Sequence, residues 1–448
     1  MKTTLNQLKT TAFVLSSLLI YSLNTAWAQP ATQILRGTVY DKISQVTLPG
    51  ATVVLLNTDP LMATATDVNG SFRFAHVPVG RCNLKVTYVG YNDLYVPNVL
   101  IISGKETVLN IQLEENILQA KEAVVEGNKA KNKPINDMAA VSTRTFTVEE
   151  TQKYAAAVND PARMAASFAG VVATDDGNNE IAVRGNNPSG LLWRLEGIDI
   201  PNPNHFSDAG SSGGGISILS AQLKTNSDFF TSAFPAEYGN ALSSVFDMKL
   251  RKGNNEKQEY TFQAGFLGLD FAAEGPFRKN YGGSYLVNYR YSTLSILDKI
   301  NVNVGDAVTN FQDFSYNFFL PTKHAGAFSV FGFTGLSNQK FEAEKDSTQW
   351  EDGGERWSWN YNANTTVSGL RHAITLSDKS YLTSTLSYAL TDNTDNASRY
   401  MEEYENRLLF DENFTTQKFM LTSVLNHKFN ARHNVRAGIQ LSNTNFAC

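Results

Sequence analysis

Ser212 in Gly210-Ser211-Ser212-Gly213-Gly214 has the G-x-S-x-G spacing of a nucleophile elbow, with His205 and Asp208 close by in sequence. That chemistry needs an apolar strand before the serine and a helix after it, so that a strained turn lifts the hydroxyl into the open. The run from Pro201 to Asp208 reads as a loop, so no esterase is expected, and the glycines read as a flexible loop that lets the backbone move. Asp175-Asp176-Gly177-Asn178-Asn179-Glu180 clusters carboxylates as a calcium loop does. It lacks the glycine and the terminal glutamate at EF-hand spacing and reads as a solvated turn. No phosphate-cradling G-x-x-x-x-G-K-[ST] is present, and none of the six histidines is followed by glutamate three residues later. The two cysteines, Cys82 and Cys448, lie too far apart in the chain for a redox or metal pair to be expected. The expectation is therefore no enzyme, no metal and no cofactor.

The elements that hold these residues belong to an exported, β-rich chain. At 448 residues it is too long for one core, and two to four domains are expected. A net charge of −5, with no concentrated basic face, argues against nucleic acid. The 31 glycines, 27 phenylalanines and 18 tyrosines lean towards β-structure. A slightly negative mean hydropathy excludes a multi-span helical membrane protein but not a barrel, whose strands alternate apolar and polar residues. Lys2 and Lys9 precede an apolar stretch, Ala12–Leu23, and Ala26-Trp27-Ala28 supplies a small–x–small cleavage pattern. Residues 1–28 thus read as a signal peptide, with the mature chain starting at Gln29. Beyond it no apolar run reaches the ~18 residues of a spanning helix, so any membrane insertion must be as strands.

From residue 29 to 115 short strands recur: Leu35–Tyr40, Ala51–Leu56, Met62–Thr66, Ser71–Phe74, Arg81–Tyr88 and Thr107–Leu113. Pro49-Gly50, Asn69-Gly70 and Pro78-Val79-Gly80 separate them, and Asn-Gly predicts a type I′ hairpin. The spacing suggests a small β-sandwich. Residues 116–140 form a charged, Pro-bearing linker with one apolar patch, Ala123-Val124-Val125. From 141 to 253 the pattern turns α/β. Thr147 and Glu150 form a capping box ahead of Thr151–Ala157, and Asp160 with Pro161 opens a second helix that Gly170 can stop. Strands Ile181–Arg184 and Leu191–Ile200 follow. Residues 254–448 carry long alternating segments. Val435, Ala437, Ile439 and Leu441 alternate with Arg436, Gly438, Gln440 and Ser442, and Leu382, Leu386 and Leu390 with Thr383, Thr385 and Ser387. A soluble antiparallel sheet gives the same alternation.

Two resemblances order these parts. Gly37-Thr38-Val39 with Asp41, then Leu48 to Val53, Thr64 to Phe74 and Val86 to Tyr91, resemble the carboxypeptidase-regulatory-like domain, which has no catalytic zinc site. The turn Val183-Arg184-Gly185-Asn186, the turn from Leu195 through Glu196 and Gly197 to Asp199, and the segment Phe234 to Gly239 resemble the plug of TonB-dependent outer-membrane receptors. The variant resembled is the Bacteroidota type with an extra N-terminal β-domain. The resemblance implies a mainly β chain with a β-sandwich, an α/β plug and the first part of a transmembrane antiparallel β-barrel. It implies import of an extracellular ligand with energy from TonB, a periplasmic N-terminal domain, and outer-membrane lipid around the barrel. Glu122-Ala123-Val124-Val125 stands where a TonB box would lie. Such a segment adds as a strand to TonB's sheet. Arg184 and Glu196 are the plug charges expected to be buried and paired, and Trp193, Asn202, Asn204 and His205 lie in a loop region that faces either ligand or barrel.

A plug-enclosing barrel has about 22 strands, and residues 257–448 hold roughly nine, so a fragment of a longer receptor is expected. The alternative class is a secreted or surface-bound β-rich adhesin.

Overall fold

The computed structural model describes residues 31–116, 134–136, 138–139, 142–146, 148–153, 160–265, 268–293, 296, 308–350, 354–401 and 405–448. The signal-peptide reading and Glu122, Ala123, Val124 and Val125 lie outside these residues. The chain forms two compact units that divide at Leu113 and Glu114, apart from Asp41–Val46, which belongs with the second. No helix among the described residues is long and apolar enough to cross a membrane. That leaves strands untouched as a means of crossing.

The first unit is two sheets facing one core. One sheet orders Ser71–Pro78, Thr32–Asp41 and Thr107–Leu113; the other orders Met62–Ala65, Thr52–Leu56, Gly80–Thr87 and Leu94–Ile101. Alternate residues of both sheets, among them Leu35, Val39, Val53, Leu55, Leu84 and Val86, point inward and are fully buried, which is what period two produces when one face is dry. Cys82 sits in this core as a free thiol, pushed up by burial. Two details depart from the sequence reading. Leu94–Ile101 is a strand despite Pro97, because it lies at a sheet edge, where proline costs no ladder bond. Asn69-Gly70 does not close a hairpin: its flanking strands belong to different sheets, and only Gly70 of the pair has positive φ (72°). Asp67 makes this corner, its Oδ1 accepting from the backbone of Asn69 and Ser71 at 2.8 Å each.

The second unit begins with an α/β subdomain. Its five-stranded sheet orders Ile198–Ile200, Leu191–Leu195, Ser244–Met248, Ser227–Phe230 and Thr143–Phe146, with the second and third strands parallel. Both faces are covered, so Leu191–Leu195 and Ser244–Met248 are buried at every position. Helix Pro161–Ala165 starts as expected: Asp160 caps it, accepting from Ala162 and Arg163, with Pro161 at the first position. It stops well before Gly170, because Ser167 and Phe168 turn back onto the carbonyls of Met164 and Ala165. The other helix is Val148–Lys153, three residues ahead of its expected start.

After it comes a nine-stranded antiparallel meander from Glu259–Ala264 to His433–Ala447, each strand pairing with its sequence neighbour. The expected number of strands is there, although three of them, Trp357–Ser377, Ser380–Tyr400 and Asn406–Asn430, reach 21, 21 and 25 residues. Two-residue turns join the last of these strands at one end, at 378–379 and 431–432, whereas 342–356 connects at the other.

The outer face of this sheet is apolar and exposed, the reverse of a soluble protein, while the inner face mixes buried polar and apolar residues. Tyr285, Phe318, Val330, Leu370, Leu386, Leu421 and Leu441 stand directly opposite one another across seven strands, on the face away from the α/β subdomain. Leu386 is 53% exposed and Leu441 59%. The inner face carries Asp313, Ser315, Asn317, Ser337, Thr365, Thr385 and Ser387, all buried. Outward residues stay largely apolar from Leu382 to Leu390, about 26 Å along the strand. Towards the long connections the outward face turns polar, with Asn310, Asn338, Asn362, Thr394 and Asn413 in one row.

Candidate functional site

The geometry that can do work lies where the α/β subdomain meets the inner face of the long sheet. Two hairpin-like turns set it up. Arg184 (φ 53°) with Gly185 (φ 76°), and Glu196 (φ 50°) with Gly197 (φ 86°), are left-handed at both central positions, the signature of a type I′ turn. The second turn splits the expected strand Leu191–Ile200 into an antiparallel pair. A charged residue at positive φ is strained, and such strain persists only where the surroundings hold it.

Glu196 is held. Its Oε1 accepts from the Leu250 amide at 2.6 Å, its Oε2 lies 3.5 Å from Arg371 of the long sheet, and its carbonyl accepts from Thr385. Asp199, two residues past the turn, accepts from Asn240 and from Gln440 of the last strand, both at 3.0 Å. Arg184 differs from its expected place: it is exposed, and it reaches only Ser142 and Thr231. Its backbone N–H donates to Gly170, and Asn186 closes the turn onto the Val183 carbonyl from both its backbone and its side chain. Arg184 and Glu196 therefore have separate partners.

The strongest buried charge is Arg194, 1% exposed, which the sequence reading did not single out. It donates to the backbone carbonyls of Glu237 (3.1 Å) and Gly197 (3.0 Å) and to the Glu237 carboxylate (3.4 Å), which Arg436 of the last strand shares at 2.7 Å. Asn136 donates to Glu237 and to the Tyr238 hydroxyl, which in turn donates to Asp247 at 2.8 Å. Burial alone would raise Asp247, but the cations Lys249 and Arg194 and the Tyr238 hydroxyl bring it below the usual carboxylate range. Burial raises the Tyr238 hydroxyl strongly, so it stays a donor. Asp228 fixes the backbone of Ile135 and Asn136. Ile135 and Asn136, near the end of the linker, are thus tied into the charge network. The only sequence signal for this was Arg194 in an otherwise apolar strand.

At the opposite end, the loop between Asn202 and Gly215 is pinned rather than flexible. Asn202 donates to the carbonyls of Ser211 and Gly213, Asn204 donates to Asn202, and Asn179 donates to Asn204 and to Asp160. A Cβ on Gly213 would lie 2.5 Å from Cβ of Glu180, and one on Gly214 would lie 2.5 Å from the His205 carbonyl oxygen. The glycines are there for close approach. Ser212 is buried and its carbonyl accepts from the Trp193 indole at 2.9 Å. His205 is turned to Asp313 (3.1 Å), not to Ser212, and Arg290 donates to the same carboxylate at 2.6 Å. No nucleophile–base pair forms. Burial holds the His205 imidazole below its ordinary range against the pull of Asp313. Trp193 stacks on Phe246 at 4.7 Å inside the core. Of the four loop-region residues, only Asn202 keeps a half-buried surface; Trp193, Asn204 and His205 are buried. At the carboxylate cluster 175–180 the carbonyls of Asp176 and Gly177 accept from Arg163.

Residues 34–114, which make up most of the first unit, match the carboxypeptidase regulatory-like domain family. Among solved structures, the siderophore receptor PirA from Acinetobacter baumannii aligns at 16% identity and a TM-score of 0.47, covering 68% of this chain and 48% of that one. A mutant of the ferric enterobactin receptor PfeA from Pseudomonas aeruginosa aligns at 14% identity and a TM-score of 0.45, covering 68% and 49%. PirA from Pseudomonas aeruginosa aligns at 15% identity and 0.37, covering 67% and 52%. The chain spans about half the length of these solved receptors. A search of curated proteins gives no match.

Proposed function

We propose that this chain is the N-terminal part of a plugged β-barrel receptor of the outer membrane, which binds an extracellular ligand and imports it with energy delivered by TonB. The observation that carries the reading is the apolar, exposed outer face of the long sheet. A row of apolar side chains seven strands wide faces away from the core and is exposed, while the α/β subdomain covers buried serines, threonines, asparagines and an aspartate together with an apolar patch at Phe331, Phe333 and Val367. A soluble adhesin would turn that row inward. At the ~40° tilt of barrel strands, the ~26 Å of outward apolar strand stands about 20 Å tall, most of the roughly 25 Å apolar band of a transmembrane barrel. The polar row above it then stands outside the bilayer on the side of the long connections.

On this reading residues 1–28 direct export, 29–115 form the periplasmic regulatory-like domain, 116–140 link it, 141–253 are the plug and 254–448 the barrel wall. Ligand arrives from the long-connection end, over the pinned loop. Glu122-Ala123-Val124-Val125 offers TonB a strand in the periplasm, and the network of Arg194, Glu237, Asn136 and Asp228 receives the pull. Ligand shifts the equilibrium only by binding the signalling state better than the resting one.

Capture of the detergent-solubilised chain by the C-terminal domain of TonB tests this. Capture that Val124→Pro abolishes supports the reading, since proline removes a ladder donor. Equal capture of both forms, or of neither, contradicts it.

A further inference from the structure

The α/β subdomain meets the long sheet through two unlike surfaces, and three cross-strand rows of the inner face show it. Leu286–Asn317, Asn288–Ser315 and Arg290–Asp313 form these rows on strands Ser284–Tyr291 and Val308–Pro321. The same rows continue on the next strands as Phe331–Gly369, Phe333–Val367–Ala389 and Gly335–Thr365. Phe331, Phe333, Val367 and Ala389 are buried in one apolar cluster with the subdomain's own core, and Ile218 lies against Gly335 so closely that a Cβ there would come within 2.5 Å of it. That side is dry.

The other side is polar from end to end, interrupted by Leu286 and Phe311. His205 meets Asp313, the Ser217 carbonyl accepts from Arg290 at 2.5 Å, Ser220 donates to Asp270 at 3.2 Å, and the Arg251 carbonyl accepts from Asn317 at 2.9 Å. Ser284 Oγ, Asn288 Oδ1, Asp313 Oδ1, Ser315 Oγ and Asn317 Oδ1 are buried on this wall without a protein partner. Among the described residues of the long sheet, every buried acceptor without one lies on these two strands. From the subdomain, Nδ1 of His205, whose Nε2 meets Asp313, is likewise unpartnered. Buried polar groups are hydrogen-bonded almost without exception, and a contiguous file of such groups is where ordered water supplies the bonds.

We infer that strands Ser284–Tyr291 and Val308–Pro321 bound a hydrated seam beside the plug, a site that takes ordered water and admits small hydrophilic solutes, while the plug stays seated on the apolar side. The inference rests on the plugged-barrel reading above.

Thiol labelling of the full chain in outer-membrane vesicles tests it. In a Cys82→Ala, Cys448→Ser background, Ser315→Cys and Asn317→Cys are expected to react with a small, charged methanethiosulfonate at least tenfold faster than Val367→Cys and Ala389→Cys. Equal protection on both sides overturns the seam. Radiolytic footprinting of the unsubstituted protein reads the same question without a variant: Phe311 is expected to oxidise several-fold faster than Phe331 and Phe333, and equal rates overturn the inference. Failure of the barrel reading itself shows differently, as a chain absent from the membrane fraction.

Discussion

The guanidinium of Arg194 lies 4.8 Å from the centre of the Tyr238 ring, and both side chains are buried in the α/β subdomain beside Glu237. A cation over an aromatic face is worth most when water is excluded. Tyr238 belongs to the Phe234–Gly239 segment and Arg194 to the strand before the Glu196 turn, so this contact joins two of the stretches that carry the resemblance to a receptor plug.

Arg194→Met is expected to destabilise the plug by about 3–5 kcal/mol, because it leaves Glu237 and Asp199 buried with less compensation. Denaturant titration followed by protease protection of the plug measures this. A loss below about 1 kcal/mol would show that Arg436 alone satisfies Glu237.

Gly213→Ala is expected to cost about 1–3 kcal/mol, since its new methyl meets the Cα and Cβ of Glu180. The loop moves only if the chain carrying Glu180 moves with it. Thermal unfolding of the two forms decides between this and a flexible loop, for which the substitution would be neutral.

Arg184→Asn is expected to stabilise the plug by roughly 1 kcal/mol, because asparagine tolerates the left-handed conformation that arginine adopts there at φ 53°. The bonds lost, to Ser142 and Thr231, are exposed. Unchanged or lower stability in urea would mean that those contacts outweigh the backbone strain.

His205 gives the α/β subdomain an acid limit. Its folded value lies below the ordinary 6.5, so between the two values the unfolded chain binds a proton that the native one does not. Its contribution is complete above pH 6.5 and is lost as pH falls below it, with a slope of up to about 1.4 kcal/mol per pH unit. Stability measured from pH 7.5 to 5 is expected to fall less steeply for His205→Asn. Parallel curves would assign the acid loss to other groups.

Much of the fold was legible because period two is a direct reading of which face is wet. Arg436 and Gln440 alternate with Val435, Ile439 and Leu441 in the sequence, and in the structure the first two reach Glu237 and Asp199 while the others face away. The Asp160–Pro161 start was legible from local capping chemistry. What escaped depends on distant chain. Arg194 reads as an isolated charge in an apolar strand until Glu237, 43 residues on, is folded against it. Gly213 and Gly214 read as hinge residues because sequence does not show that Glu180 and the His205 carbonyl fill the space beside them. Arg184 was expected to be buried as a plug charge packed against the barrel, but the whole left-handed turn from Arg184 to Asn187 lies on the exposed surface.

The most direct measurement is the environment of a nitroxide at position 386 in the membrane-embedded protein, with one at 385 as its inward neighbour. The account predicts that the label at 386 collides with oxygen far more often than with a water-soluble nickel chelate, as a lipid-facing side chain does, and that the label at 385 is shielded from both. Ready collision of the 386 label with the nickel chelate would put the leucine row in water and contradict the barrel.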